Sequence, residues 1–217
     1  MKVVLIHTSP VSLNDLKALF KEILPEVEMI NIIDDSLLEE VKRNGHITPA
    51  IISRMCAYVR VAEGMKPDLI FNQCSSVGEA FDIARKQVSC KTLKIDEAMA
   101  EKAVELGKKI GVVATVASTM APSCNLVRNK AIAAGKDVEV KEYLVNGALD
   151  ILMAGDVDRH NELLIAAIRQ AEAENDVVVL AQGSMTAILP LLKEENKPIL
   201  TSPRLAVERV RKELGLA

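Results

Sequence analysis

Short apolar runs alternate with longer amphipathic ones along the whole chain. The runs at 3–6, 27–30, 69–71, 92–95, 110–114, 138–140, 177–180 and 199–200 are rich in Val, Ile and Leu and predict strands. Several are continuous rather than alternating, the pattern of parallel strands covered on both faces. Between them apolar residues recur at helical spacing. Leu13, Leu16, Leu19, Phe20 and Ile23 predict one helix. Met99, Ala103, Val104 and Leu106 predict a second, and Leu163, Leu164, Ala167, Ile168 and Ala171 a third. Strands alternating with helices predict right-handed βαβ units and a doubly wound α/β architecture.

The pattern repeats once. Asp68-Leu69-Ile70-Phe71-Asn72-Gln73-Cys74-Ser75-Ser76 resembles Asp176-Val177-Val178-Val179-Leu180-Ala181-Gln182-Gly183-Ser184. One extra residue in the second copy brings Gln73 onto Gln182, Cys74 onto Gly183 and Ser75 onto Ser184. The run at 1–6 likewise parallels 109–114, and 94–97 parallels 199–203. A period of half the chain is too long for a solenoid and points to duplication of a small α/β lobe. The expected fold is two similar Rossmann-like lobes with parallel sheets, related by a pseudo-twofold axis, with a cleft between them. The first lobe is expected at 1–97 together with a returning C-terminal helix at about 198–217, and the second at 98–197. Clefts between lobes are a favoured place for ligands.

Composition narrows the function. Aromatic residues are 2% of the 217, with no Trp, so the core is aliphatic and no stacking platform for single-stranded nucleic acid exists. A net charge of -3 with no basic stripe gives no footprint for a phosphate backbone. No apolar run reaches the length of a membrane span, and the start lacks a signal-peptide cleavage pattern. The partner expected is therefore a small molecule, not nucleic acid or membrane. Four cysteines, at 56, 74, 90 and 124, fit no zinc spacing and form no C-x-x-C, so free thiols in a reducing cytoplasm are the expectation.

Cys74 stands apart by its neighbours. The segment 71–79 runs from a strand end into a helix, which puts the thiol at the carboxyl edge of the sheet and near a helix N-terminus. Free N–H groups there favour a thiolate and bind carboxylates. Ser75 and Ser76 can cap the helix or donate to an anion. Thr115, Ser118 and Thr119 follow the strand 110–114 and offer the same choice. His7 ends the first strand and reads either as an acid–base group or as a hydrogen-bonded structural residue. Asp96 and Glu97 end another strand, where Asp96 can equally cap the next helix. His160 and Arg204 read as solvated surface or as cleft rim.

The whole chain resembles the Asp/Glu/hydantoin racemase superfamily. The matching stretches are 72–76, 111–115 with Ser118 and Thr119 after it, 147–152 and 176–185. The resemblance implies chemistry at a carbon next to a carboxylate, without a cofactor, PLP or metal. It implies two cysteines, one per lobe, on opposite faces of that carbon, one removing a proton as thiolate and the other returning one as thiol. It also implies that Ser75, Ser76, Thr115, Ser118, Thr119, Gln182, Gly183 and Ser184 bind a small anionic substrate. A homodimer is common among similar proteins. This sequence keeps Cys74 but places Gly183 where the second cysteine is expected. A second acid or base would then come from His7, Asp96, Glu97 or His160. Three readings stay open: a racemase or isomerase using Cys74, a single-cysteine decarboxylase or lyase, and a non-catalytic small-anion-binding protein.

Overall fold

A computed structural model describes residues 1–192 and 196–216; residues 193–195 and Ala217, which fall inside the expected lobe boundaries, lie outside the described residues. The chain divides into two compact units, Met1–Ile95 with Pro203–Ala217, and Asp96–Ser202.

In the first unit the order is β1 (Lys2–His7), α1 (Leu13–Ile23), β2 (Glu28–Ile33), α2 (Ser36–Asn44), α3 (Pro49–Gly64) and β3 (Leu69–Asn72). A 3-10 turn, Ser75–Val77, then leads into α4 (Gly78–Ala84) and β4 (Lys91–Lys94). The second unit runs α5 (Glu97–Leu106), β5 (Lys109–Ala114), α6 (Ala117–Ala133), β6 (Glu139–Leu144), α7 (Ala148–Met153), α8 (Val157–Glu174) and β7 (Val177–Leu180). A 3-10 segment, Gly183–Leu191, and β8 (Ile199–Thr201) follow. The last helix, α9 (Ser202–Glu213), belongs to the first unit from Pro203 on.

Each unit holds one four-stranded, all-parallel sheet with flanking helices. The strand orders are β2-β1-β3-β4 and β6-β5-β7-β8. The α/β fold class read from the alternating runs therefore holds. In both sheets the order reverses at the centre, between β1 and β3 and between β5 and β7. Open parallel sheets bind ligands at that switch point, beyond the carboxyl ends of the strands.

The continuous apolar run of β1 is explained by burial on both faces. Val3 and Leu5 pack with Leu16 and Phe20 of α1 and with Ala206, Val207 and Val210 of α9. Val4 and Ile6 point the other way, into a cluster with Leu37 and Val41 of α2 and Ile51, Met55 and Val59 of α3. The edge strand β6 differs. It is longer than the run at 138–140, and of its six residues Tyr143 alone is buried, so an apolar pattern marks only its start.

Asp68 and Asp176 do the same job in the two units. Asp68 Oδ2 accepts from the N–H of Lys2 at 2.7 Å, and Asp176 Oδ2 accepts from that of Lys109 at 2.8 Å. Each carboxylate thus ties the start of its β3-type strand to the start of the neighbouring β1-type strand.

Candidate active site

In the first unit, β1 and β3 end side by side, and Thr8 and the Cys74 turn follow them. Cys74 has extended backbone (φ -125, ψ 118) and forms the cap of the 3-10 turn Ser75–Val77. It is half-buried and packs on the apolar cluster of α2, α3 and α4. Burial pushes the thiol above its ordinary range, and four groups work against that shift. These are the hydroxyls of Thr8 and Ser76 and the backbone N–H groups of Ser76 and Val77. All four interact more favourably with a thiolate than with a thiol. Asn72, fully buried, donates from Nδ2 to the Cys74 carbonyl at 2.9 Å and holds the turn in place. Ser75 is half-buried at the same turn.

Cys124 is a useful contrast. It is fully buried beside Met120, and its pKa is pushed up to about 12, with burial the largest cause. That is a packing cysteine. Among the four, Cys74 is the one lying at a sheet's switch point.

His7 is fully buried at the end of β1, and its Nε2 lies 2.9 Å from Asn31 Oδ1. Since a carboxamide oxygen only accepts, Nε2 carries the proton in the neutral ring. Burial lowers the His7 pKa, hydrogen bonding to Asn31 and Gln73 offsets part of this, and Lys17 adds to the lowering. Gln73 in turn donates from Nε2 to Ser12 Oγ at 2.5 Å. His7 therefore ties strand ends together beside the Cys74 turn.

In the second unit, Gln182 caps the 3-10 segment with nearly the backbone of Cys74 (φ -118, ψ 134). Its side chain forms a reciprocal pair with Thr115. The Thr115 N–H donates to Oε1 at 2.9 Å, and Nε2 donates to Thr115 Oγ1 at 2.7 Å. The next helix, α6, starts without a side-chain cap, with Ser118 half-buried and Thr119 buried in its first turn. Gly183 is half-buried and Ser184 is exposed.

The strand registers correct the pairing of the two halves. Val3 pairs with Leu69 and Ile110 with Val177. The N–H of Gln73 donates to Ile6 O at 3.0 Å, and that of Ala181 donates to Val113 O at 2.9 Å. No residue is inserted between these points. Gln73 therefore corresponds to Ala181, Cys74 to Gln182, Ser75 to Gly183 and Ser76 to Ser184. The counterpart of Cys74 is Gln182, not Gly183. By the same register Thr8 corresponds to Thr115, so each unit presents a Thr beside the capping residue of its central turn.

Asp96 and Glu97 are both buried at the start of α5. Asp96 takes the N-cap position of α5 without a side-chain hydrogen bond to the helix. Glu97 lies 3.5 Å from the Lys130 ammonium, which also pairs with Glu101 at 2.8 Å. His160 sits in the first turn of α8 against Asn161, and Arg204 pairs with Glu22 on exposed surface. Sequence reading missed Thr8, Asn72 and the Gln73–Ser12 contact. The repeat carried a signal for Thr8, since it occupies the place of Thr115. Among the described residues no cluster of His, Cys, Asp or Glu is arranged to hold a metal ion, and no helix is long and apolar enough to cross a membrane.

A family model for Asp/Glu/hydantoin racemase matches residues 12–210. The chain belongs to the Asp/Glu/hydantoin racemase family. Solved structures of similar fold include glutamate racemase isoform RacE1 from Bacillus anthracis, at 15% identity and TM-score 0.71, covering 98% of this chain and 81% of that one. Allantoin racemase from Klebsiella pneumoniae is similar at 15% identity and TM-score 0.68, covering 100% and 89%. A glycine-to-cysteine mutant of arylmalonate decarboxylase is similar at 14% identity and TM-score 0.61, covering 99% and 94%. At these identities the likeness establishes the fold. Among curated proteins, none matches the chain by sequence. Racemase-family membership thus rests on the family model, as the motifs at 72–76 and 176–185 led one to expect.

Proposed function

We propose that Cys74 exchanges a proton with the carbon alpha to the carboxylate of a small anionic acid, in an isomerase-type reaction that needs no cofactor. The observation that carries this reading is the place of Cys74, at the cap of the turn that leaves β3 at the switch point of the first sheet. The thiolate takes the alpha proton, forming S–H, and the C–H electron pair moves into an enediolate. Hydroxyls and N–H groups at the edge of the first sheet, including Ser75 and Ser76, stabilise that charge. Return of that proton by the same thiol gives exchange with retention; inversion needs a second acid on the opposite face of the enediolate, with the Cys74 proton passing to solvent.

Gln182 favours a second reading. Its amide is neither a useful acid nor a useful base in water, and both of its functions are engaged by Thr115. A thiol on one face suits a decarboxylase or lyase. There the C–C bond to a second carboxylate breaks, CO2 leaves, and Cys74 protonates the resulting enediolate.

The test is to incubate the protein with a panel of small 2-substituted carboxylic acids and malonates in deuterated water, following alpha-proton exchange, CO2 release and product chirality. Exchange that vanishes in Cys74→Ala supports the proposal, and a single product enantiomer after CO2 release selects the second reading. Exchange that survives Cys74→Ala refutes both. Binding of an acid with no turnover, unchanged by Cys74→Ser, would leave a binding protein.

A further inference from the structure

A polar cluster in the first unit lies outside the machinery described above. Arg54, on α3, spans three acceptors on the segment that leaves β2. Its Nη1 donates to Asp34 Oδ2 at 3.1 Å and to Ser36 Oγ at 2.7 Å, and its Nη2 donates to Glu40 Oε2 at 2.5 Å. Neighbours complete the clasp. Tyr58, one turn further along α3, donates to Asp34 Oδ2 at 2.6 Å. Thr48 Oγ1 donates to Glu40 Oε1 at 2.8 Å. Asp34 is also tied to β1, through its N–H on His7 O at 3.0 Å. Arg54 is the one cation among these groups, facing two carboxylates, and the ion pairs are only partly exposed.

The clasp fixes both the start and the middle of α2. Along this stretch α2 turns Leu37 and Val41, almost wholly buried, into the cluster that contains Val77 and against which Cys74 packs. The helix touches the turn Ser75–Val77 directly. Its apolar face is therefore part of what keeps water from the thiol. A desolvated sulfur is a stronger base toward carbon than a hydrated one.

We propose that Arg54 is a positioning residue for Cys74: by clasping α2 onto α3 it holds the apolar cover over the Cys74 turn and keeps the sulfur desolvated. The role rests on the reading of Cys74 as the reactive thiol, but its test does not need turnover. The hydrogen-bond partners of Arg54, Asp34, Ser36 and Glu40, are not among the groups that face the sulfur.

The experiment is peptide-resolved alkylation of the intact protein by iodoacetamide across pH, for wild type, Arg54→Met, Arg54→Lys and Glu40→Gln. With the cover loosened, the Cys74 profile in Arg54→Met is expected to move its midpoint down by about half a pH unit or more, making alkylation at pH 7 about threefold faster or better. Arg54→Lys retains the charge and should restore part of the shift. Glu40→Gln should give a smaller shift of the same sign, and it carries the test if Arg54→Met does not fold. Amide exchange in α2 should quicken in step with the thiol shift, while Cys124 stays unreactive. A Cys74 profile that superimposes on wild type overturns the proposal. So does a shift seen only when Cys124 becomes reactive as well, which would mark general loosening. Failure of the catalytic reading shows separately, as alpha-proton exchange that is indifferent to Cys74→Ala.

Discussion

Replacing Thr8 by Val isolates one of the four donors at Cys74. The side chain is 2% exposed, so little water can take the place of the lost hydroxyl. A hydrogen bond to a charged acceptor contributes about 1.5–3 kcal/mol. The half-buried setting of Cys74 puts the effect at the low end, about 1.5 kcal/mol, or about one pKa unit. The shift is upward, because the hydroxyl favours the thiolate. At pH 7 the thiolate fraction should fall about tenfold, and alkylation and alpha-proton exchange should fall with it. The assay is the pH profile of Cys74 alkylation, read peptide by peptide. The midpoint should rise about one unit while the rate at high pH stays the same. Thr8→Ser keeps the hydroxyl and should stay close to wild type. The reasoning is refuted if Val leaves the midpoint where it was, or if Ser moves it as far as Val does. The sign is also diagnostic, since loss of the Arg54 clasp moves the same midpoint the other way.

Three further outcomes follow from the same geometry. Gln182→Cys removes two hydrogen bonds to Thr115 and should cost about 1–2 kcal/mol, a fall in Tm of about 2–8 °C by calorimetry. His7 has a lowered pKa in the folded state, so its unfolded form takes a proton first as pH falls. Stability should therefore drop below about pH 6.5, by up to about 1.4 kcal/mol per unit, until the folded ring protonates too, and His7→Gln should remove that slope in denaturant titrations. Cys124, fully buried with its pKa at about 12, should resist iodoacetamide at pH 8 in the native protein and react once guanidinium unfolds it, as mass spectrometry of its peptide would show.

How legible each element was in the sequence depended on how it is buried. β1, β3, β5 and β7 are central strands buried on both faces, so their runs were continuous and plain. β6 lies at an edge and is mostly exposed, so only its start showed a pattern. In α1 one stripe faces the core and its spacing was clear. In α3 the apolar residues meet both the sheet and α4, so the stripe is smeared around the helix. A signal for its start was nonetheless present: Thr48 caps it through Ile51 N–H at 3.3 Å, and Pro49 takes the first position. The Cys74 turn was legible because thiol, serines and strand end are adjacent in the chain. Arg54 was not, because its partners lie 14 to 20 positions away and meet it only after α2 folds back.

The misplaced register has a physical lesson as well. Gln73 and Gln182 are identical residues in similar strings, and matching them required an inserted residue. Backbone pairing admits no such slip, because one residue's shift would turn every side chain of β7 to the opposite face. With the register fixed by Asp68 and Asp176 at one end and by the Gln73 and Ala181 N–H groups at the other, the two central turns become comparable atom by atom. Each has a Thr beside a capping residue in extended backbone. The caps differ in reach. A glutamine side chain is long enough to return to its Thr with both amide groups, which satisfies the turn internally and leaves nothing to titrate. A cysteine is too short to reach back in that way. Its sulfur stays at the edge of the sheet and receives the hydroxyls and N–H groups instead. The same local fold thus carries an internally bonded amide in the second unit and a titratable thiol in the first. At matching positions the two units are therefore chemically different, and on the proposed reading acid–base chemistry at carbon depends on the Cys74 turn.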